Sequence, residues 1–520
     1  MAASQSGKIK RSGRVAIGMA ALLVGAAATI IAQDRAGRGG GRPAAPPNPL
    51  GQPLLDSSGH EREDAFIHAP LRPEDAKYAD LDGLHMKSIL NEVMAISRKD
   101  RDSGNVFWGR NVGTPGHAAT EDWVEGYFRK YGLQNVHRQS FDLRPQWIPK
   151  RWNISFESGD KTLQLGSARP EQGAASTPPG GLDLELVWAG EGTAADFVGR
   201  DVTGKAALIQ DIPTPGVINH SINYEGAVQR AFEKGAAAVG IVYGISDNFA
   251  VWEGSGGRPG FNVGYQDGKR LRDLLGNGQP VRVKIQLESE MRPGLKTASV
   301  LGTLPGTTDE EILVMAHIDG FFEGALDNAS GVAVMMGLLE HFAMVPQSQR
   351  RRNIRFMGSA GHHGGPGAGW LHNSRETELA KTALMFNLEH VAAVRTKYWG
   401  PRLRMTTAVA PMRWWVYGSG NLLDIALKSF SRFNVGITAD MDDGASGEMG
   451  AVARDAPSIQ VITSPEVKHT EQDTAEWVPA NGLEQIARAY AKIIDDVNKL
   501  DRNDILPASS KSSATGGLGR

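Results

Sequence analysis

The ten residues Glu311–Gly320, EILVMAHIDG, constrain this chain more than any other stretch. From Ile312 to Ala316 no polar side chain interrupts the run, so a strand here is buried on both faces, as in a sheet with helices above and below. The run ends in His317, Ile318 and Asp319, and the two-residue period of a strand puts His317 and Asp319 on the same face. An imidazole beside a carboxylate at a strand's C-terminal end suits a metal ligand and the group that orients it. Open α/β sheets place their sites at that end. Taken alone, the H-x-D pair also fits a local hydrogen-bonded turn.

Composition narrows the chemistry. The chain has 520 residues and no cysteine, so disulfides, thiol nucleophiles and Cys-ligated zinc or iron–sulfur sites are excluded together. A metal must rest on His, Asp and Glu, and 13 histidines are available. Lys and Arg number 56 against 58 Asp and Glu, which argues against a nucleic-acid partner held by a basic face. A G-x-S-x-G begins at Gly444 but meets Glu448, no GK dipeptide is followed by Ser or Thr, and no HExxH occurs. Nucleophile elbow, P-loop and single-zinc helix motif are therefore unsupported.

Along the chain, Lys8, Lys10, Arg11 and Arg14 precede an apolar run from Val15 to Ala32. This reads as a cleaved signal over residues 1–33 and predicts a periplasmic or secreted protein. A retained membrane anchor is the alternative, because about 18 apolar residues reach the lower limit of a spanning helix. A Gly/Pro-rich linker and N-terminal extension follow over 34–75, and a disordered tail is expected over 506–520. Residues 76–165 open an α/β domain with two amphipathic helices and the strand-like NVHRQSFDL. Over 166–292, short apolar runs such as KAALIQD and AAAVGIVYG alternate with Gly-rich turns around the helix INYEGAVQRAFEKGA. That stretch resembles the protease-associated (PA) domain, a lid or interaction module. A generic α/β insertion is the other reading. Arg413, Trp414 and Trp415 read as an edge strand or core aromatic pair.

The metal-binding pattern spreads over residues 293–505. Asp327 stands just before a long helix, where the helix dipole stabilises an anion. His362 and His363 follow the strand RRNIRFMG, Glu389 ends TALMFNLEH, and His469 precedes the terminal helix. Several polar side chains at strand ends point to a two-metal site of N and O ligands.

The order AHIDG, GALDNASG, a paired-residue loop, N-L-E and HTEQDT resembles the co-catalytic zinc exopeptidases, which include secreted bacterial aminopeptidases and glutamate carboxypeptidase-like proteins, many with a PA insertion. The resemblance implies an α/β fold with a mixed, mostly parallel sheet flanked by helices and a β-rich insertion. It implies two zinc ions: His317, Asp327 and Glu389 on one, Asp327, His363 and His469 on the other, with Asp327 bridging. Asp319 would orient His317, and Asn328 would follow in a turn the family usually strains. The substrate would be a peptide or amide, cleaved from a free end. One departure is central: the family has two glutamates where this chain has His362 and His363. An imidazole at the ligand position binds zinc well, while His362 in the place of the general base would be weakened by nearby divalent cations. The competing expectation is a non-catalytic binding or scaffold protein that kept the fold. Acyl transfer or cyclisation on a related single-metal site is a third. Glu448 lies near a position where the family shows an acidic residue, but a solvated loop carboxylate is the reading preferred for it.

Overall fold

The structure is a computed structural model describing residues 71–212, 224–254, 257–361, 363–399, 402–438, 445–463 and 466–507. The expected signal segment, most of the linker, His362 and the tail beyond Pro507 lie outside the described residues.

Seven strands form the first sheet: β1 Gln134–Asp142, β2 Lys296–Leu304, β3 Glu311–His317, β4 Asn353–Ser359, β5 Thr382–Leu388, β6 Arg413–Tyr417 and β7 Ser458–Ile462. Their spatial order is β1-β2-β4-β3-β5-β7-β6. Neighbours β4, β3, β5 and β7 pair in parallel, and β2 and β6 run the other way. Because β1 is antiparallel to β2, five of the seven strands point in one direction. The sheet is thus mixed and mostly parallel, as the sequence implied. β6, the Arg-Trp-Trp strand, is an edge strand.

The alternation within β3 explains its composition. Ile312, Val314 and Ala316 pack into the larger core, which α1 Gly83–Asp102, α2 Pro115–Lys130, α3 Gly331–Met344, α5 Gly420–Arg432 and α7 Ala480–Val497 help build. Leu313 and Met315 face the opposite core, shared with α4 Gly367–Asn373 and α6 Glu448–Val452. Helix starts follow side-chain capping: Asp82 accepts the His85 N–H at 2.8 Å, and Thr114 caps α2 ahead of Pro115.

The second sheet has eight strands and begins at Gln146 rather than at 166. Gln146–Ser158 and Lys161–Gln164 join it because the long strand pairs along nearly its whole length with Arg282–Arg292. Ala206–Gln210, the helix Tyr224–Glu233 and Ala238–Val242 occur in the order read from sequence. Ala207 and Ile209 pack toward that helix, while Ala206 and Leu208 pack toward the opposite face. Gly240 is a glycine because the Phe261 ring occupies the space a Cβ would need, 2.3 Å away.

The two sheets meet through Trp252, which is fully buried. Its ring lies 5.1 Å from Phe107, 5.5 Å from Trp152 and 6.1 Å from Phe322, centroid to centroid. The flanking backbone is stitched to the chain before α7: Trp252 N–H donates to the His469 carbonyl at 3.0 Å, and Glu471 N–H to the Ala250 carbonyl at 3.2 Å. No helix among the described residues is long and apolar enough to cross a membrane.

Candidate metal centre

Strand ends bring the polar groups together. At the end of β3, His317 Nδ1–H donates to Asp319 Oδ1 at 2.7 Å, with both side chains fully buried. The other oxygen of Asp319 accepts the backbone N–H of His363 and lies 3.2 Å from its Nδ1. One carboxylate therefore orients two imidazoles from different segments. Gly361, with φ +90°, stands where a Cβ would lie 2.0 Å from that carboxylate, so this loop is tightly fitted to Asp319.

The turn after β3 is held from below and from the side. Arg110, fully buried, donates to the carbonyls of Ile318, Glu323 and Gly324; burial pushes its guanidinium down to about 10, against the pull of Asp319 and Asp327. Asp473 accepts the N–H groups of Leu326 and Asp327 at 2.7 and 3.1 Å, and burial pushes its carboxyl up to about 7. The Asp327–Asn328 peptide is cis. Asn328 donates to the carbonyls of His317 and Leu388, tying the ends of β3 and β5 together.

Four imidazoles converge on Asp327. His317 Nε2 and His390 Nε2 lie 3.2 and 3.1 Å from its Oδ1. His469 Nε2 and His363 Nε2 lie 3.1 and 3.8 Å from its Oδ2. Neither oxygen receives a well-aligned hydrogen bond from the described residues, a costly state for a buried carboxylate without a cation. Donors about 2.0–2.1 Å from one tetrahedral zinc stand about 3.3 Å apart, close to three of the four imidazole distances at Asp327. The donor set therefore fits divalent metal binding.

Protons reinforce this reading. Burial disfavours the charged form of His317, but Asp319 and Asp327 outweigh it and raise its pKa well above the usual range. Burial likewise works against ionised Asp319 and Asp327, yet the imidazoles, His363 foremost for one and His390 for the other, hold both carboxyls well below theirs. Burial lowers His363.

His317, Asp327, His363, Glu389 and His469 thus meet in one place, with Asp319 in the orienting position. Sequence reasoning missed three residues. His390 follows Glu389 with φ +46°, donates Nδ1–H to the Thr463 carbonyl at 3.3 Å and turns Nε2 toward Asp327. Its signal was a further histidine directly after N-L-E. Glu253, from the second sheet's segment, accepts His469 Nδ1–H at 2.9 Å. Asp473, in HTEQDT, anchors the bridging turn. One preference is corrected: Glu448 is no solvated loop residue but 1% exposed. It accepts the Ser359 hydroxyl at 2.6 Å, and burial pushes it up to about 7. Its position at the start of α6 packs it under the site, with its N–H donating to Glu389 at 3.3 Å.

Residues 299–494 match the model of peptidase family M28. That match covers 196 of the chain's 520 residues. Among curated proteins, the chain is 27% identical over 290 residues to aminopeptidase YwaD of Bacillus subtilis, a match spanning 54% of this chain and 58% of that protein. It is 26% identical over 289 residues to the probable lipoprotein aminopeptidase LpqL of Mycobacterium tuberculosis, covering 51% and 52%. The chain thus spans little more than half the length of the curated relatives it matches. Its fold is shared with a zinc aminopeptidase from Bacillus subtilis (TM-score 0.57, 20% identity, 82% of this chain and 98% of that one). It is shared too with a peptidase M28 precursor from Shewanella amazonensis (0.60, 19%, 81% and 97%).

A cavity of about 490 Å³ opens on the centre. Phe107, Trp147 and Phe321 give it apolar walls, and His363, His469 and Glu253 form its polar floor.

Proposed function

We propose that this is an exported, zinc-dependent exopeptidase of the aminopeptidase kind, acting on peptide or similar amide bonds. The observation that carries the reading is Asp327, a buried carboxylate with two imidazole nitrogens facing each of its oxygens. The relatives' aminopeptidase names support the substrate class. Export rests on the N-terminal segment 1–33, with secretion or a periplasmic location as the destination.

In this reading His317, Asp327 and Glu389 hold one zinc, and Asp327, His363 and His469 the other. Zinc ions so held supply an activated water and polarise the scissile carbonyl. The chain's own groups do the rest. Asp319 fixes His317 in the tautomer that presents Nε2 and holds the His363 loop. Glu253 does the same for His469. The aromatic walls of the cavity exclude water from one side of the bound substrate. By its place in the sequence His362 occupies the position of the family's general base and would take the proton of the attacking water.

The test is metal content together with hydrolysis. Protein purified without chelator should carry about two zinc ions and release aminoacyl anilides in a chelator-sensitive reaction. Absence of metal would refute the reading. Full metal without hydrolysis in the wild type, and activity appearing in His362→Glu, would assign the chain to the non-catalytic alternative. An unchanged rate in His362→Ala would remove His362 from the base role.

A further inference from the structure

Resting on the metal-centre reading above, we infer that the two oxygens of Asp327 serve inequivalent positions: a buried one that His390 closes, and an open one that faces the cavity and receives substrate. His390 stands outside the ligand set carried over from the family. It changes the donor count on one side only.

On the Oδ1 side stand His317 Nε2 and His390 Nε2, each within 3.2 Å of that oxygen. Glu389 is close by, its Oε1 4.0 Å from His317 Nε2, and donor atoms of His317, Glu389 and His390 all lie within 4.8 Å of one another. The other oxygen of Glu389 already accepts from Asn387 Nδ2 at 2.9 Å and from the Glu448 N–H. That bond directs Oε1 inward. Asp327 Oδ1 faces two of the three, His317 and His390, so four protein groups border this side, the number a tetrahedral shell takes. His317, His390 and Glu389 are all at most 3% exposed and none lines the cavity.

On the Oδ2 side the described residues gather three donors, Asp327, His363 and His469. Three protein ligands with one vertex left over is the arrangement of a catalytic zinc, as four is that of a structural one. His363 and His469 are also the two imidazoles that line the 490 Å³ cavity. Donor count and access to solvent therefore agree: the position with room for substrate is the one with a way in. His390 adds an imidazole to the Asp327 and Glu389 carboxylates already facing the buried position.

Cobalt(II) substitution in the full-length, chelator-stripped protein tests this by visible absorption, with azide as a small anion that adds to an open coordination position. His469→Ala should retain one cobalt whose spectrum azide leaves unchanged, while the wild type should bind two and respond to azide. His390→Ala should bind its buried cobalt at least tenfold more weakly, or lose it, and any ion retained there should respond to azide. Circular dichroism separates a local effect from misfolding, and His390→Gln provides a second variant of similar volume. Two cobalt ions held by His390→Ala and His390→Gln with wild-type affinity, or an azide-sensitive ion in His469→Ala, would overturn the inference. A wild type that binds no cobalt would instead overturn the metal-centre reading beneath it.

Discussion

At the level of single residues, the decisive groups are the carboxylates that aim imidazoles. Asp319 touches His317 and His363, imidazoles on both sides of Asp327, whereas Glu253 holds the His469 imidazole on one side. Removing an orienting partner typically costs ten- to a hundredfold in metal affinity. Glu253→Ala should therefore weaken one zinc equivalent by about that factor and leave the other untouched. Glu253→Gln, which keeps an acceptor oxygen, should lose less. Asp319→Ala should weaken both equivalents. Competition with a chromophoric chelator reads these affinities, and equal behaviour of the two alanine variants would contradict the assignment. The His317–Asp319 pair was legible because strand periodicity alone places both on one face. His390 was not: successive residues of a strand point to opposite faces, and only its left-handed backbone, which no sequence pattern announces, swings it back toward Asp327. Glu253 was hidden by a separation of 216 residues from His469.

Among elements, helices α1, α2 and α3 are joined by one acid. Glu340 of α3 accepts from Tyr131 OH and His85 Nε2, each at 2.7 Å, and from Tyr127 OH. Burial works to raise its pKa, but the two hydroxyls and His85 outweigh it, so the folded value falls below the usual carboxylate range. A depressed carboxyl contributes stability above its unfolded pKa and loses it as pH falls through the folded one. Glu340→Gln should cost on the order of 2 kcal/mol at pH 7, and the gap from wild type should close progressively below about pH 4.5. Thermal melts across pH 3–8 check the sign; a gap that widens on acidification would contradict it. Helices and strands were largely legible, since a 3.6- or two-residue rhythm survives in each. The start of the second sheet was not, because Gln146–Ser158 declares itself only through its long-range partner Arg282–Arg292.

For the whole molecule, the join between sheets is aromatic. Trp252 is wedged among Phe107, Trp147, Trp152 and Phe322. Trp252→Ala should cost about 3–5 kcal/mol, as for other large-to-small core changes, and should also loosen metal on the His469 side, since Trp252 and Glu253 are adjacent. Denaturant melts paired with metal titration measure both; a stability loss with wholly unchanged metal affinity would show that the wedge and the centre are independent. The same adjacency has a mechanical meaning. In the proposed reading His469 is a zinc ligand fixed by Glu253 from the second sheet's segment, so an ion held there would clasp the join and resist the sheets' parting. Any force or partner that pries them apart must, by reciprocity, loosen that ion.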